Sequence, residues 1–212
     1  MKQIKRLTNA CLLLCFALAC QSSLQAAFTS VVDTNSGDLH ILRDGQKYIN
    51  FSYYDWGPGW SGVQRKQSIS EVDGSAQFVF NNELRNTKAP FTITGSWAQP
   101  SAEVIRFDAE LVPEKDSELV LSQFALGAGP VFDGGSVAIE RADGSSETLE
   151  FPLGKGSMGD DVTKLTLTDS EGAVTVIVFD NPTSIPLDGQ ARLAIASGSF
   201  QAGKTETLGF SM

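Results

Sequence analysis

Along most of the chain, apolar and polar side chains change places at every second residue. Within 104–112, Ile105, Phe107, Ala109 and Leu111 fall on one side, and Val104, Arg106, Asp108 and Glu110 on the other. A period of two belongs to an extended strand with one buried and one wet face. The same pattern predicts strands over 28–32, 39–43, 48–54, 76–81, 91–97, 104–112, 118–126, 136–141, 147–151, 162–168, 173–179, 191–197 and 206–210. Residues 173–179 are almost all apolar or threonine, which places that strand in the middle of a sheet.

The connections carry matching turn chemistry. Asp73-Gly74, Asp143-Gly144, Glu171-Gly172 and Asp188-Gly189 each separate two predicted strands and tolerate the positive φ of a tight hairpin. Pro100, Pro113, Pro152 and Pro182 fall at strand ends, where a missing N–H does no harm to a ladder. The longest predicted loops are 128–135 and 154–161. No stretch after residue 27 keeps a helical period, and 20 glycines argue against a helical body. The expected fold is all-β, a two-sheet antiparallel β-sandwich of jelly-roll type, forming a single domain over 27–212.

The first 26 residues have a different character. Lys2, Lys5 and Arg6 precede an apolar run over 7–19, and a polar segment then leads to Ala26-Ala27. Basic, apolar and small-residue regions in that order form the layout of a secretory signal peptide, here with cleavage after Ala26. The apolar run is too short to cross a bilayer comfortably. The mature domain is therefore expected outside the cytoplasm, secreted or periplasmic. All three cysteines, Cys11, Cys15 and Cys20, lie in this segment. Its removal leaves no disulfide, thiolate metal site or cysteine nucleophile. Leu18-Ala19-Cys20 also resembles the end of a lipoprotein signal, so a lipid anchor at Cys20 is the alternative.

Charge narrows the partners. The chain has 16 basic and 25 acidic residues, and loss of Lys2, Lys5 and Arg6 leaves 13 basic. An acidic field disfavours nucleic acid and anionic membrane surfaces. His40 is the only histidine and alternates with Leu39 and Ile41, so it is expected to face outward. A zinc site or a Ser-His-Asp triad built on one histidine is a poor expectation. Asp133, Asp160 and Asp161 could offer oxygens to calcium, but no twelve-residue calcium loop is present. Gly154-Lys155-Gly156-Ser157 lacks the upstream glycines and helix of a phosphate loop. No cofactor and no metal are expected.

The densest unusual feature is Tyr53-Tyr54-Asp55-Trp56-Gly57-Pro58-Gly59-Trp60-Ser61-Gly62. Three glycines and a proline make the segment turn, so its rings cannot all belong to one regular sheet. Exposed indole and phenol faces stack on the apolar faces of sugar rings and also supply contact area for a protein partner. The same rings could instead plug one end of the core. Trp97, beside Gln99 and Pro100, fits either role. Hydrolysis of a glycan needs two carboxyl groups about 5–10 Å apart. Asp55 and the pair Asp160-Asp161 are the least implausible acids, and a non-catalytic protein is the expectation.

The run Asp55-Trp56-Gly57-Pro58-Gly59-Trp60, with the closing stretch 173–210 containing Asp180-Asn181-Pro182, resembles the β-sandwich accessory domains of secreted bacterial carbohydrate-active proteins. That resemblance implies a non-catalytic carbohydrate-binding module. Stacking would fall to Trp56 and Trp60, with Tyr53, Asp55 or Trp97 at the ligand's edge. The alternative is a structural or protein-binding domain of the envelope or exterior whose working surface is a sheet edge or apolar patch. A glycan-active enzyme comes third.

Overall fold

The computed structural model describes residues 28–72 and 75–212. The predicted signal segment, its cysteines and the predicted turn at Asp73-Gly74 lie outside the described residues. In chain order the strands are β1 (Phe28–Val32), β2 (Leu39–Arg43), β3 (Gln46–Trp56), β4 (Val63–Val72), β5 (Ser75–Leu84) and β6 (Pro90–Ser101). Next come β7 (Val104–Pro113), β8 (Ser117–Ala128), β9 (Ser136–Arg141), β10 (Ser146–Glu150) and β11 (Lys155–Ser157). The last five are β12 (Val162–Thr168), β13 (Val174–Thr183), β14 (Pro186–Asp188), β15 (Ala191–Phe200) and β16 (Glu206–Ser211). Two single-turn 3-10 segments, Pro58–Trp60 and Pro130–Phe132, complete the described elements.

The strands form two sheets. One has seven strands in the order β1-β2-β3-β8-β15-β14-β11, and the other nine in the order β10-β9-β12-β13-β16-β7-β6-β5-β4. Every neighbouring pair is antiparallel. Each strand predicted from alternation overlaps an observed one. The alternation misses β4, β11 and β14. β4 reads VQRKQSISEV and runs along the sheet edge, where polar side chains discourage further pairing. β11 and β14 have three residues each, too few to display a period.

The inward faces of the two sheets build the core. Phe51 and Tyr53 of β3 and Phe124 of β8 meet Phe78 and Phe80 of β5, Phe107 of β7 and Phe210 of β16, all buried. Tyr53 stacks on Phe80 at 4.7 Å, and Phe107 meets Phe124 edge-on at 4.6 Å. Gly95 of β6 makes room for this cluster. A Cβ there would lie 2.3 Å from both Phe78 Cζ and the Asp108 carbonyl oxygen. Positive φ at Gly144, Gly172 and Gly189 confirms left-handed glycines at three of the predicted turns. Asp44-Gly45, both with positive φ, makes a further two-residue hairpin turn between β2 and β3. β13 does sit inside its sheet, between β12 and β16. One of its faces, however, is wet: Val174, Val176 and Val178 are 58%, 37% and 48% exposed.

Candidate functional site

The aromatic segment begins as the end of β3 and then leaves the sheet. Alternation along β3 sends Tyr53 and Asp55 into the core and Tyr54 and Trp56 to the outer face of the seven-stranded sheet. Beyond Trp56 the chain closes a small turn. Gly57 N–H donates to the Ser61 carbonyl at 2.9 Å, and Ser61 N–H donates to the Pro58 carbonyl at 3.4 Å. Pro58 presets the first φ of that turn. Gly59 and Trp60 then both take left-handed backbone, φ 67° and 57°. Gly57 lets the turn lie tight against the sandwich, since a Cβ there would come within 3.0 Å of Leu84 Cδ2.

The turn displays one indole. Trp60 is 59% exposed and meets half-buried Trp56 edge-on, with ring centroids 6.2 Å apart. Tyr54, 45% exposed, shares the outer face with Trp56. Directly across the ladder from Tyr54 is Gln123, whose buried Oε1 has no hydrogen-bond partner among the described residues. A left-handed conformation is uncommon for a bulky residue and costs about 1 kcal/mol or more. Such strain at an exposed ring is a functional hint.

Beneath the turn lies a buried polar cluster. Asp55 is 7% exposed. It accepts hydrogen bonds from the Tyr53 hydroxyl, from Ser122 Oγ at 2.8 Å and from Asn82 Nδ2 at 3.2 Å. Asn82 Nδ2 also donates to the Tyr53 hydroxyl at 3.0 Å. The Arg65 guanidinium sits 4.3 Å from the Tyr53 ring centroid and 3.9 Å from Asp55 Oδ2, and donates to the Tyr53 carbonyl at 3.2 Å. Burial raises the Asp55 carboxyl to about 6, against the opposing pull of its hydrogen bonds from Tyr53 and Ser122 and of the Arg65 charge. The Tyr53 phenol is pushed well up, first by burial and then by the neighbouring Asp55 charge, so it keeps its proton and donates. The cluster ties β3, β4, β5 and β8 together under the turn.

The five residues singled out from the sequence thus divide three ways. Trp56 and Trp60 form a surface pair, and Tyr53 and Asp55 form the buried cluster behind it. Trp97 belongs to neither. It is 2% exposed, and its ring packs against Phe51 and Phe107 at 5.2 and 4.1 Å. Trp97 pairs with Ala76, six residues along β5 from the Asn82 that holds Asp55. That interval spans roughly 20 Å of strand. The Trp97 ring lines a separate cleft of about 610 Å³ with Ser30, Glu71, Gln99 and Ser101. The Trp97 Nε1–H is buried without a hydrogen-bond partner among the described residues.

Sequence reasoning missed Tyr54 and Gln123. The signal for Tyr54 was parity: counting in twos from inward Phe51 puts Tyr53 inside and Tyr54 outside. His40 is half-buried between buried Leu39 and Ile41, and its Nδ1 has no partner among the described residues. Asp160 accepts a hydrogen bond from Ser184 Oγ at 2.7 Å. Among the described residues, no group of three or more histidines, cysteines or acids is placed to hold a metal ion, and no helix is long and apolar enough to cross a membrane. No protein-family model matches the chain, and no curated protein matches it.

Proposed function

We propose that this protein is an exported, non-catalytic β-sandwich module that binds carbohydrate on the ring strip formed by Trp60, Trp56 and Tyr54. The observation that carries this reading is the exposed Trp60 indole, held outward by strained backbone next to a second indole. An indole kept in water on a fixed turn is spent on contact with something outside the chain. Tyr54 and Trp56 share one outer face and Trp60 stands edge-on to Trp56 on the turn beyond it; exposed indole and phenol faces suit the apolar C–H faces of pyranose units, and Tyr54 contributes a hydroxyl. In this reading Tyr53 and Asp55 position the turn and do not touch the ligand. The asymmetry between the two sets of rings supports it: the core takes Tyr53 and Trp97, while Tyr54 and Trp60 are left at the surface.

Titration of the protein with a panel of soluble polysaccharides, followed by tryptophan emission and affinity electrophoresis, tests the proposal. At least one glycan should shift the emission, and Trp60→Ala should weaken its retention about tenfold or more. Trp60 is exposed, so the variant keeps its fold. If the whole panel leaves emission unchanged, or if Trp60→Ala binds as tightly as the parent, the ring strip is not a glycan site.

A further inference from the structure

The ring strip has a cationic neighbour. Six arginines lie among the described residues, and five of them, Arg43, Arg65, Arg106, Arg141 and Arg192, are ion-paired. Arg85 is the sixth. It is exposed and, among the described residues, has no ion pair, although acids outnumber basic residues 25 to 16 in this chain. An arginine left unpaired where carboxylates are plentiful is free to take one from outside.

Register sets Arg85 beside the aromatic turn. β4 and β5 pair as far as Val63↔Leu84, so Gly62 and Arg85 are the next positions on the two chains. Gly62 has no side chain, and the arginine lies across it: a Cβ there would be 3.6 Å from Arg85 Nε and 3.9 Å from its Cζ. A closed turn holds the base of the side chain. In it Lys88 N–H donates to the Leu84 carbonyl at 2.9 Å, and Leu84 N–H donates to the Ala89 carbonyl at 3.0 Å. Asn86 Nδ2 donates to the Pro58 carbonyl at 3.4 Å and ties this turn to the one that carries Trp60. Two residues separate Trp60 from Gly62, at most about 7 Å of backbone. The guanidinium and the exposed indole therefore reach the same or adjacent sugar units. Positions 57–62 and 85–88 hold Arg85 and Lys88 and no acid. Glu83, on the strand before them, is engaged by Lys88 at 3.4 Å. The local charge beside the strip is thus opposite in sign to that of the chain.

Given the reading of Trp60, Trp56 and Tyr54 as a glycan site, on which this step rests, we propose that the bound glycan is acidic. Arg85 takes the carboxylate of a uronic acid unit while Trp60 stacks on a sugar ring. A guanidinium presents parallel N–H donors that match the two oxygens of a carboxylate, and it keeps its charge at any working pH. The acidic field of the rest of the chain does not prevent this. At physiological salt, exposed charges more than about 8 Å away are largely screened, so contact with Arg85 outweighs distant acids. A neutral glycan gains no charge-assisted hydrogen bond of this kind. Arg85 is therefore the selector and Trp60 the platform.

Affinity electrophoresis and calorimetry with polygalacturonate and alginate, each against its esterified and uncharged form, test this. The protein should bind at least one polyuronate about tenfold or more tighter than the ester. Arg85→Gln, an exposed change that keeps the fold, should erase that margin and leave binding of the ester unchanged. Lys47→Gln removes a cation at the other end of β3, nine residues or roughly 30 Å from Trp56, and should alter neither. The proposal fails if polyuronates bind no tighter than their esters, if Arg85→Gln keeps the margin, or if Lys47→Gln erases it as well. It also fails if a sulfated galactan without carboxylates binds more tightly than every polyuronate. Retention of a neutral glycan that Trp60→Ala abolishes, with no preference for polyuronate, would leave the ring strip standing and overturn only its acidic selectivity. Binding of no glycan at all would remove both.

Discussion

Phe107→Ala is expected to lower the free energy of unfolding by about 3–5 kcal/mol. Phe107 is the ring around which the two sheets close. Within the nine-stranded sheet it touches Trp97 at 4.1 Å and Phe210 at 5.0 Å, and it reaches across the sandwich to Phe124 at 4.6 Å. Removing it deletes a fully buried ring and leaves a void that the surrounding aromatics cannot fill. They are themselves held by strand register, with Phe107 opposite Trp97 on β6 and Phe210 on β16. Val178→Ala, on the wet face of β13, is the internal control and should cost less than about 0.5 kcal/mol. Urea unfolding of both variants checks the contrast. A loss below about 1.5 kcal/mol at Phe107 would mean that the sheets collapse around the missing ring, and that no single residue keys this core.

The same alternation that places Phe107 inside made most of the fold legible in the sequence. Ile105, Phe107, Ala109 and Leu111 are buried where the period of two puts them. Asp-Gly and Glu-Gly pairs mark turns because few other residues accept positive φ. Legibility ended where a strand owes its existence to a neighbour more than to its own pattern. β4 is held by a ten-residue ladder with β5, although its side chains are mostly polar and exposed. β11 exists because β14 runs beside it.

The site was legible in composition and only half legible in geometry. The glycines and proline of 57–62 announced a turn, and they form one. Which aromatic ring faces water depends on parity along β3 and on the exit angle of the turn. Tyr53 and Tyr54 are adjacent and chemically identical, yet one donates a hydrogen bond to Asp55 in the core and the other is exposed. The wet face of β13 was hidden for a related reason. An apolar run such as 173–179 reads as a buried central strand, and nothing local records that Val174, Val176 and Val178 face water. Which face the second sheet covers is a property of the two sheets together, and no single strand carries it.

Between about pH 4.5 and about pH 7.5 the protein is expected to lose about 2 kcal/mol of stability through Asp55 alone. Burial is the largest influence on this carboxyl and disfavours its charge. Hydrogen bonds from Tyr53 and Ser122 and the charge of Arg65 offset part of that penalty, which leaves the folded-state value at about 6. In the unfolded chain the group titrates near the ordinary value of 3.8. The folded state therefore holds the proton more tightly. The associated stabilisation is fully present below the unfolded value and is lost as pH rises through about 6. Asp180 runs the other way: the Arg106 hydrogen bonds and charge hold it below the usual carboxylate range, so it loses stability only in more acidic solution. The difference between the parent and Asp55→Asn isolates the effect, because asparagine keeps an acceptor for Tyr53 and Ser122 and cannot ionise. Unfolding free energies measured across the range should converge or favour the parent at the acid end and favour Asp55→Asn at the alkaline end. Emission from Trp56, the next residue on β3, should follow the same midpoint, since ionisation of Asp55 draws on Tyr53 and Arg65 directly beneath the turn. Parallel stability profiles for the two proteins would show that Asp55 stays ionised throughout, and that its three hydrogen-bond donors and the Arg65 charge outweigh its burial.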